Sequence, residues 1–128
     1  MKNILIVEDD PFTQDFYSFL LKRAGFNFLI LEDGDVIINK LQFDDFDLVI
    51  MDISLKNSSI NGTKVNGIQL TKHIKQNISK FIPILLITAF SPDVKMNMFL
   101  DESLADDFIL KPITDFNLFL EKINRLIK

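Results

Sequence analysis

The chain has 128 residues, 48% hydrophobic and 25% charged, the make-up of one globular domain large enough for a real core. A net charge of −4 and a pI of about 4.9 exclude a general electrostatic grip on nucleic acid or an anionic membrane surface. Cysteine is absent, which removes disulfides, thiolate metal sites and cysteine catalysis together and is compatible with a reducing cytosol.

Met1-Lys2-Asn3 runs straight into an apolar stretch, so no signal peptide is expected, and no apolar run is long enough to cross a bilayer. Ile4–Val7 reads as a first strand and ends in Glu8-Asp9-Asp10. Asp10 can cap a helix with Pro11 at its first position. Phe12, Phe16, Phe19, Leu20 and Arg23 follow helical spacing, and Gly25 can close that helix. Phe28–Leu31 reads as a second strand, Asp33-Gly34 as a turn, and Val36, Ile37, Ile38 and Leu41 as a short helix. The third strand, Asp47–Asp52, is almost wholly apolar and delivers one carboxylate to its C-terminal tip. Residues 53–66 are turn-rich and polar and are expected to form a long loop.

Helical spacing resumes at Leu70, Ile74 and Ile78. A fourth strand, Ile82–Ile87, ends in Thr88-Ala89, and Ser91-Pro92 opens another helix. A short fifth strand, Phe108–Leu110, ends in Lys111-Pro112. Thr114 or Asp115 starts a last helix carrying Phe116, Phe119, Leu120, Ile123 and Ile127. Five βα units predict a parallel sheet covered by helices on both faces, an α/β domain spanning residues 1–128. Most of the 13 phenylalanines are expected to fill the core. His73, the single histidine, is read as an exposed helix residue.

In such sheets, ligands bind outside the carboxyl ends of the strands. Glu8, Asp9 and Asp52 would meet there and repel one another unless one takes a proton or a cation intervenes. A hard divalent cation, Mg²⁺ or Mn²⁺, suits an all-carboxylate set and commonly shares its site with a phosphate. Lys111 adds a point charge and Thr88 a hydroxyl. That is equipment for phosphoryl transfer, with aspartate as nucleophile. A phosphatase using an aspartyl nucleophile would want a second acid two residues on, where Ser54 stands. A nucleotide switch would want a Gly-rich loop after the first strand. Asp10 is read as a helix cap rather than a member of the acidic set.

Ile4-Leu5-Ile6-Val7-Glu8-Asp9-Asp10-Pro11, Asp47-Leu48-Val49-Ile50-Met51-Asp52, Pro83-Ile84-Leu85-Leu86-Ile87-Thr88-Ala89 and Ala105-Asp106-Asp107-Phe108-Ile109-Leu110-Lys111-Pro112 occur in this order along the chain. Together they resemble the response-regulator receiver domain of two-component signalling. The resemblance implies a doubly wound, flavodoxin-like (βα)5 sandwich with strand order 2-1-3-4-5. It implies that Asp52 accepts a phosphoryl group from a sensor histidine kinase or phosphotransfer protein. Asp9 and Glu8 would bind Mg²⁺ with Asp52 and the backbone carbonyl of Ser54. Thr88 and Lys111 would hold the phosphoryl group, Phe108 would be the aromatic switch residue together with Thr88, and the Lys111-Pro112 bond would be cis. A cytoplasmic switch follows, with intrinsic Mg²⁺-dependent phosphotransfer and autodephosphorylation chemistry. The alternative is a receiver-like interaction module that works without phosphorylation.

Three departures from the family pattern stand out. Lys56 occupies the position, four residues after the acceptor, where the family usually has Pro, and the corresponding Gly comes late, at Gly67. Residues 57–65 therefore look inserted. Leu104 stands where Gly is usual, and Phe108 where Tyr is common. Leu118 and Leu126 widen the apolar face of the last helix, and Met96, Met98, Phe99 and Leu100 add to the fourth. The face made by the fourth helix, fifth strand and last helix is thus a candidate surface for a homodimer or an output protein. The chain is either a stand-alone regulator or the N-terminal piece of a longer one.

Overall fold

Apolar runs of strand length alternate with capped helices. In the computed structural model, which describes residues 2–89 and 100–127, they become β1 (Asn3–Val7), α1 (Pro11–Arg23), β2 (Asn27–Leu31), α2 (Gly34–Phe43) and β3 (Leu48–Asp52). A hairpin of β4 (Ser59–Ile60) and β5 (Thr63–Lys64) precedes α3 (Gly67–Asn77), β6 (Ile84–Thr88), the helical residues 100–103 (α4), β7 (Asp107–Leu110) and α5 (Phe116–Ile127). The Ser91-Pro92 helix start and Met96, Met98 and Phe99 lie outside the described residues. The main sheet is parallel throughout, in the order β2-β1-β3-β6-β7. Counting only its own strands, that is the expected 2-1-3-4-5.

The two-residue period of the strands divides the core between the two faces of the sheet. Ile4, Ile6, Leu48, Ile50, Leu85 and Ile87 pack with Tyr17 and Leu21 of α1 and Phe119 and Ile123 of α5. Leu5, Val7, Val49, Met51, Ile84 and Leu86 pack with Ile37 of α2 and Leu70 and Ile74 of α3. Each such side chain, fully buried, contributes about 1.5–3 kcal/mol. This core is aliphatic. The expectation that phenylalanine fills it holds in part: Phe119 is fully buried and Phe16, Phe26, Phe28, Phe46 and Phe108 pack against the core half-buried, whereas Phe12, Phe19, Phe43, Phe81 and Phe116 are exposed. Helical spacing placed Phe12 and Phe19 on a stripe, but α1 turns a narrower face, Tyr17 and Leu21, to the sheet.

Helix boundaries follow cap chemistry. The Asp10 side chain accepts from the Thr13 amide, Pro11 opens α1, and Gly25 follows it at φ +85°. Asn66 and Gln69 form a reciprocal capping box at the start of α3. Residues 53–66 are a correction to the expected loop, because the hairpin they contain is docked on α2. Asp33 Oδ1 accepts from the Ser59 amide (3.0 Å), and Asp35 Oδ1 from the Asn61 amide (3.1 Å). His73 is half-buried rather than exposed.

At the opposite side of the molecule, buried Lys75 donates to Asp106 Oδ2 (2.7 Å) and to the Ile82 carbonyl (2.6 Å). The same Asp106 oxygen accepts from the Ile84 amide (2.8 Å), so α3, the start of β6 and the turn before β7 are locked together. That turn keeps a left-handed residue, Leu104 at φ +67°, although no glycine stands there. The left-handed conformation costs about 1–2 kcal/mol for an L-residue.

Gly67 is fixed by close approach. A Cβ there would lie 2.0 Å from the Asp52 carbonyl oxygen, and its amide donates to the Ile53 carbonyl (2.9 Å). Gly67→Ala is therefore expected to lose about 1–3 kcal/mol in urea denaturation, because α3 or the end of β3 must move.

Candidate functional site

Strand register brings the polar ends together. Val7 pairs with Met51, so Glu8 and Asp52 follow side by side at the edge of the sheet. Asp52 pairs with Ile87, so Thr88 comes one residue beyond it on the other flank. Thr88 pairs with Leu110, and Lys111 is next, its amide donating to the Thr88 carbonyl (2.7 Å). The strand interiors are buried on both faces, which confines polar side chains to this edge. The resulting cleft, of about 350 Å³, is lined by Glu8, Asp9, Asp52, Ser54, Lys56, Asn57 and Lys111 among others.

One carboxylate oxygen from each of Glu8, Asp9 and Asp52 lies within 4.8 Å of the others. Lys111 is shared between Asp52 Oδ1 (3.1 Å) and Glu8 Oε1 (3.4 Å). Three carboxylates thus face a single ammonium. Glu8 is fully buried, and burial together with the nearby Asp52 carboxylate pushes its carboxyl up to about 7, against the pull of the Asp10 amide and Lys111. Burial works against the Lys111 charge, but the Asp52 and Glu8 carboxylates outweigh it and hold that ammonium above the usual lysine range. An all-oxygen, net-negative set of this kind fits a hard divalent cation, which removes the need for a proton on Glu8.

Asp10 stands apart. Its carboxylate is turned to α1, accepting from the Thr13 amide (2.9 Å) and hydroxyl (2.7 Å), and these bonds hold it below the usual carboxylate range. Thr88 is buried at the end of β6. The Lys111-Pro112 bond is cis. Ser54 lines the cleft, and its amide donates to Asp52 Oδ1 (3.2 Å). Phe108 is half-buried against the α2/α3 face of the core, with the Lys122 ammonium 5.7 Å from its ring centre and paired to Asp107 (3.0 Å). On the surface reading of the last helix, Leu126 proves to pack on the core, as does Leu100 of α4, which leaves Leu118 and Phe116 exposed.

Two neighbours of the site were not anticipated from the sequence. The Lys56 amide donates to Asp9 Oδ2 at 2.7 Å. Tyr17, the single tyrosine, is buried with its hydroxyl lacking a hydrogen-bond partner among the described residues. Burial first, then the charges of Glu8 and Asp52, push its ionisation upward. Tyr17 also lines an apolar cavity of about 470 Å³ beside Lys111, with Phe12, Phe16, Pro112 and Ile113. The only sequence signal for either was indirect: an unusual residue at position 56, and an aromatic on the sheet-facing side of α1.

Similar proteins carry the same architecture. Response regulator ArlR of Staphylococcus epidermidis is 33% identical over 128 residues, which is 100% of this chain and 53% of that protein. The chain therefore spans about half the length of the curated relatives it matches. Among solved structures, the receiver domain of a signal transduction histidine kinase from Syntrophus aciditrophicus superposes with a TM-score of 0.83 at 26% identity, covering 99% of this chain and 90% of that one. Response regulator TrrA of Thermotoga maritima, solved in complex with Mg²⁺ and BeF, gives a TM-score of 0.80 at 26% identity, covering 98% and 99%. No described helix is long and apolar enough to cross a membrane. Residues 4–124 match the response regulator receiver domain family, and the chain belongs to that family.

Proposed function

We propose that Asp52 is the phosphoacceptor of this receiver, taking a phosphoryl group from a histidine-phosphorylated kinase or phosphotransfer protein in a reaction that requires Mg²⁺ or Mn²⁺. The observation that carries this reading is the meeting of Asp52 with Glu8 and Asp9 within 4.8 Å and with Lys111 at 3.1 Å, all at one edge of the sheet. An Asp52 carboxylate oxygen attacks phosphorus, the P–N bond of the donor breaks, and the leaving imidazole takes up a proton. Glu8, Asp9 and Asp52, with the Ser54 carbonyl, are the groups that would hold the cation. When bound, it supplies charge neutralisation for the phosphoryl oxygens. Lys111 supplies a further positive charge to those oxygens, and the Thr88 hydroxyl a hydrogen bond. Exposed Phe12 and the apolar cavity beside Lys111 suit contact with the phosphodonor protein.

Phosphorylation then shifts an existing equilibrium towards a state in which Thr88 and Phe108 have moved inward. Phe108 has no hydroxyl, so packing holds either position, and in the one present here the Lys122 ammonium lies 5.7 Å from its ring centre. Hydrolysis of the aspartyl phosphate by water, which regenerates the Asp52 carboxylate, resets the switch. A homodimer or an output protein reads the change through the α4–β7–α5 face, at exposed Leu118 beside Phe108 and Lys122. This belongs to a cytoplasmic signalling protein.

Incubation with Mg²⁺ and acetyl phosphate is expected to add the mass of one phosphoryl group to the intact chain. Asp52→Asn abolishes the adduct. No adduct, or one undiminished in that variant, means the chain acts as a phosphorylation-independent module instead.

The metal reading has its own consequence for stability. Glu8 holds its proton up to about pH 7 in the folded, metal-free protein but only to about 4.5 in the unfolded chain. The folded state binds the extra proton between those values, so its stability is present below the lower one and is lost as pH rises through the upper. In EDTA, the melting temperature should therefore fall between about pH 4.5 and pH 7. Mg²⁺ should restore it above that range, and Glu8→Gln should flatten the pH slope and shrink the Mg²⁺ response.

A further inference from the structure

We propose that the backbone amide of Lys56 is a positioning group for Asp9, carried on a stretch of chain that the end of β3 and the docked hairpin hold from either side. The inference rests on the metal reading above, since it concerns how one carboxylate of that set is oriented. The Lys56 amide donates to Asp9 Oδ2 at 2.7 Å, across 47 residues of sequence. Proline, usual at this position in the family pattern, has no N–H and could not make this bond. Any residue but proline at position 56 carries this donor.

The donor is held in place from both directions. Towards β3, the Ile53 amide donates to the Ile87 carbonyl (3.0 Å), and the Ile53 carbonyl accepts from the Gly67 amide (2.9 Å). Towards the hairpin, Ser59 and Asn61 are bonded to Asp33 and Asp35 of the β2–α2 corner. Val65 closes the loop with its amide on the Ser58 carbonyl (3.0 Å), and Ser58 is buried. A short stretch of chain thus aims two amides at the acidic set, Ser54 at Asp52 and Lys56 at Asp9. Asp9 is only half-buried, so without this bond its carboxylate would rotate freely. Fixing one oxygen on an N–H fixes the plane of the other. Hydrogen bonds of this kind to ligating carboxylates govern metal affinity, and their loss lowers it about 10–100-fold.

Calorimetric titration of the whole chain with Mg²⁺ tests this through two substitutions at one position. Lys56→Ala removes the ammonium but keeps the amide, and its affinity should equal or exceed that of the unmodified protein. Lys56→Pro removes the amide, and its affinity should fall about 10–100-fold. If Lys56→Pro binds as tightly as the unmodified protein, or Lys56→Ala weakens binding as much as Lys56→Pro, the proposal is overturned while the metal reading stands. If the unmodified protein binds no Mg²⁺, the metal reading is overturned and this proposal with it. A measurement independent of whether Lys56→Pro folds is the Lys56 amide itself, followed by NMR in the metal-free protein. Its proton should lie downfield and exchange slowly, and Asp9→Ala should move it upfield and speed its exchange. An amide indifferent to Asp9→Ala overturns the proposal.

Discussion

Three carboxylates around one lysine set the terms for everything at this edge of the sheet. At separations under 4.8 Å, two carboxylates repel by on the order of 3 kcal/mol at an effective dielectric of about 20. A net hydrogen bond returns about 1 kcal/mol. The Asp10 and Ser54 amides on Glu8 and Asp52 offset part of this, and the Lys111 ammonium, 3.1 Å from Asp52 and 3.4 Å from Glu8, offsets more. One ammonium still leaves three carboxylates net negative, and burial raises the Glu8 carboxyl, so the site favours further positive charge, as a proton on Glu8 or as a cation. On the proposed function, a phosphoryl group and its counterion would change the balance of forces on the surrounding backbone, which is what a switch requires.

The fold supplies this unstable cluster with rigid supports. Glu8, Asp52, Thr88 and Lys111 all follow directly from paired, buried strands, so their backbones cannot relax apart without breaking sheet hydrogen bonds. Gly67 lets α3 sit against the Asp52 carbonyl, and the Lys75–Asp106 lock ties the same helix to the turn before β7. Strain at Leu104 is tolerated because that turn is clamped on both sides. Asp52 is thus joined to Thr88 through the pairing of β3 with β6 and to Lys111 through an ion pair of 3.1 Å, rather than through loops.

What the sequence made legible was what local rules govern. Apolar runs of strand length bounded by polar tips placed all five strands of the sheet and all the acidic residues of the site. The Asp10-Pro11 pair placed the start of α1 and correctly kept Asp10 out of the acidic set. The hairpin at 59–64 was not legible, because Asp33 and Asp35 bonds from a distant corner hold it, and two-residue strands carry no period. The Asp9–Lys56 bond was hidden because a backbone amide has no sequence signature; the only hint was that the residue there was not proline. The exposed phenylalanines of α1 misled for a different reason. Periodicity counts apolar residues on a stripe, but the sheet needs only a narrow face of α1, and Phe12 and Phe19 fall outside it.

The account turns on Glu8 being the carboxyl that gives way when no cation is bound. Its side-chain carboxyl resonance can be followed by NMR through a pH titration, with and without saturating Mg²⁺. The prediction is a midpoint near 7 in the metal-free protein, displaced well downward when Mg²⁺ is present. A midpoint at the ordinary 4.5, unchanged by Mg²⁺, would contradict the account, since the three carboxylates would then coexist without needing the positive charge on which the switch depends.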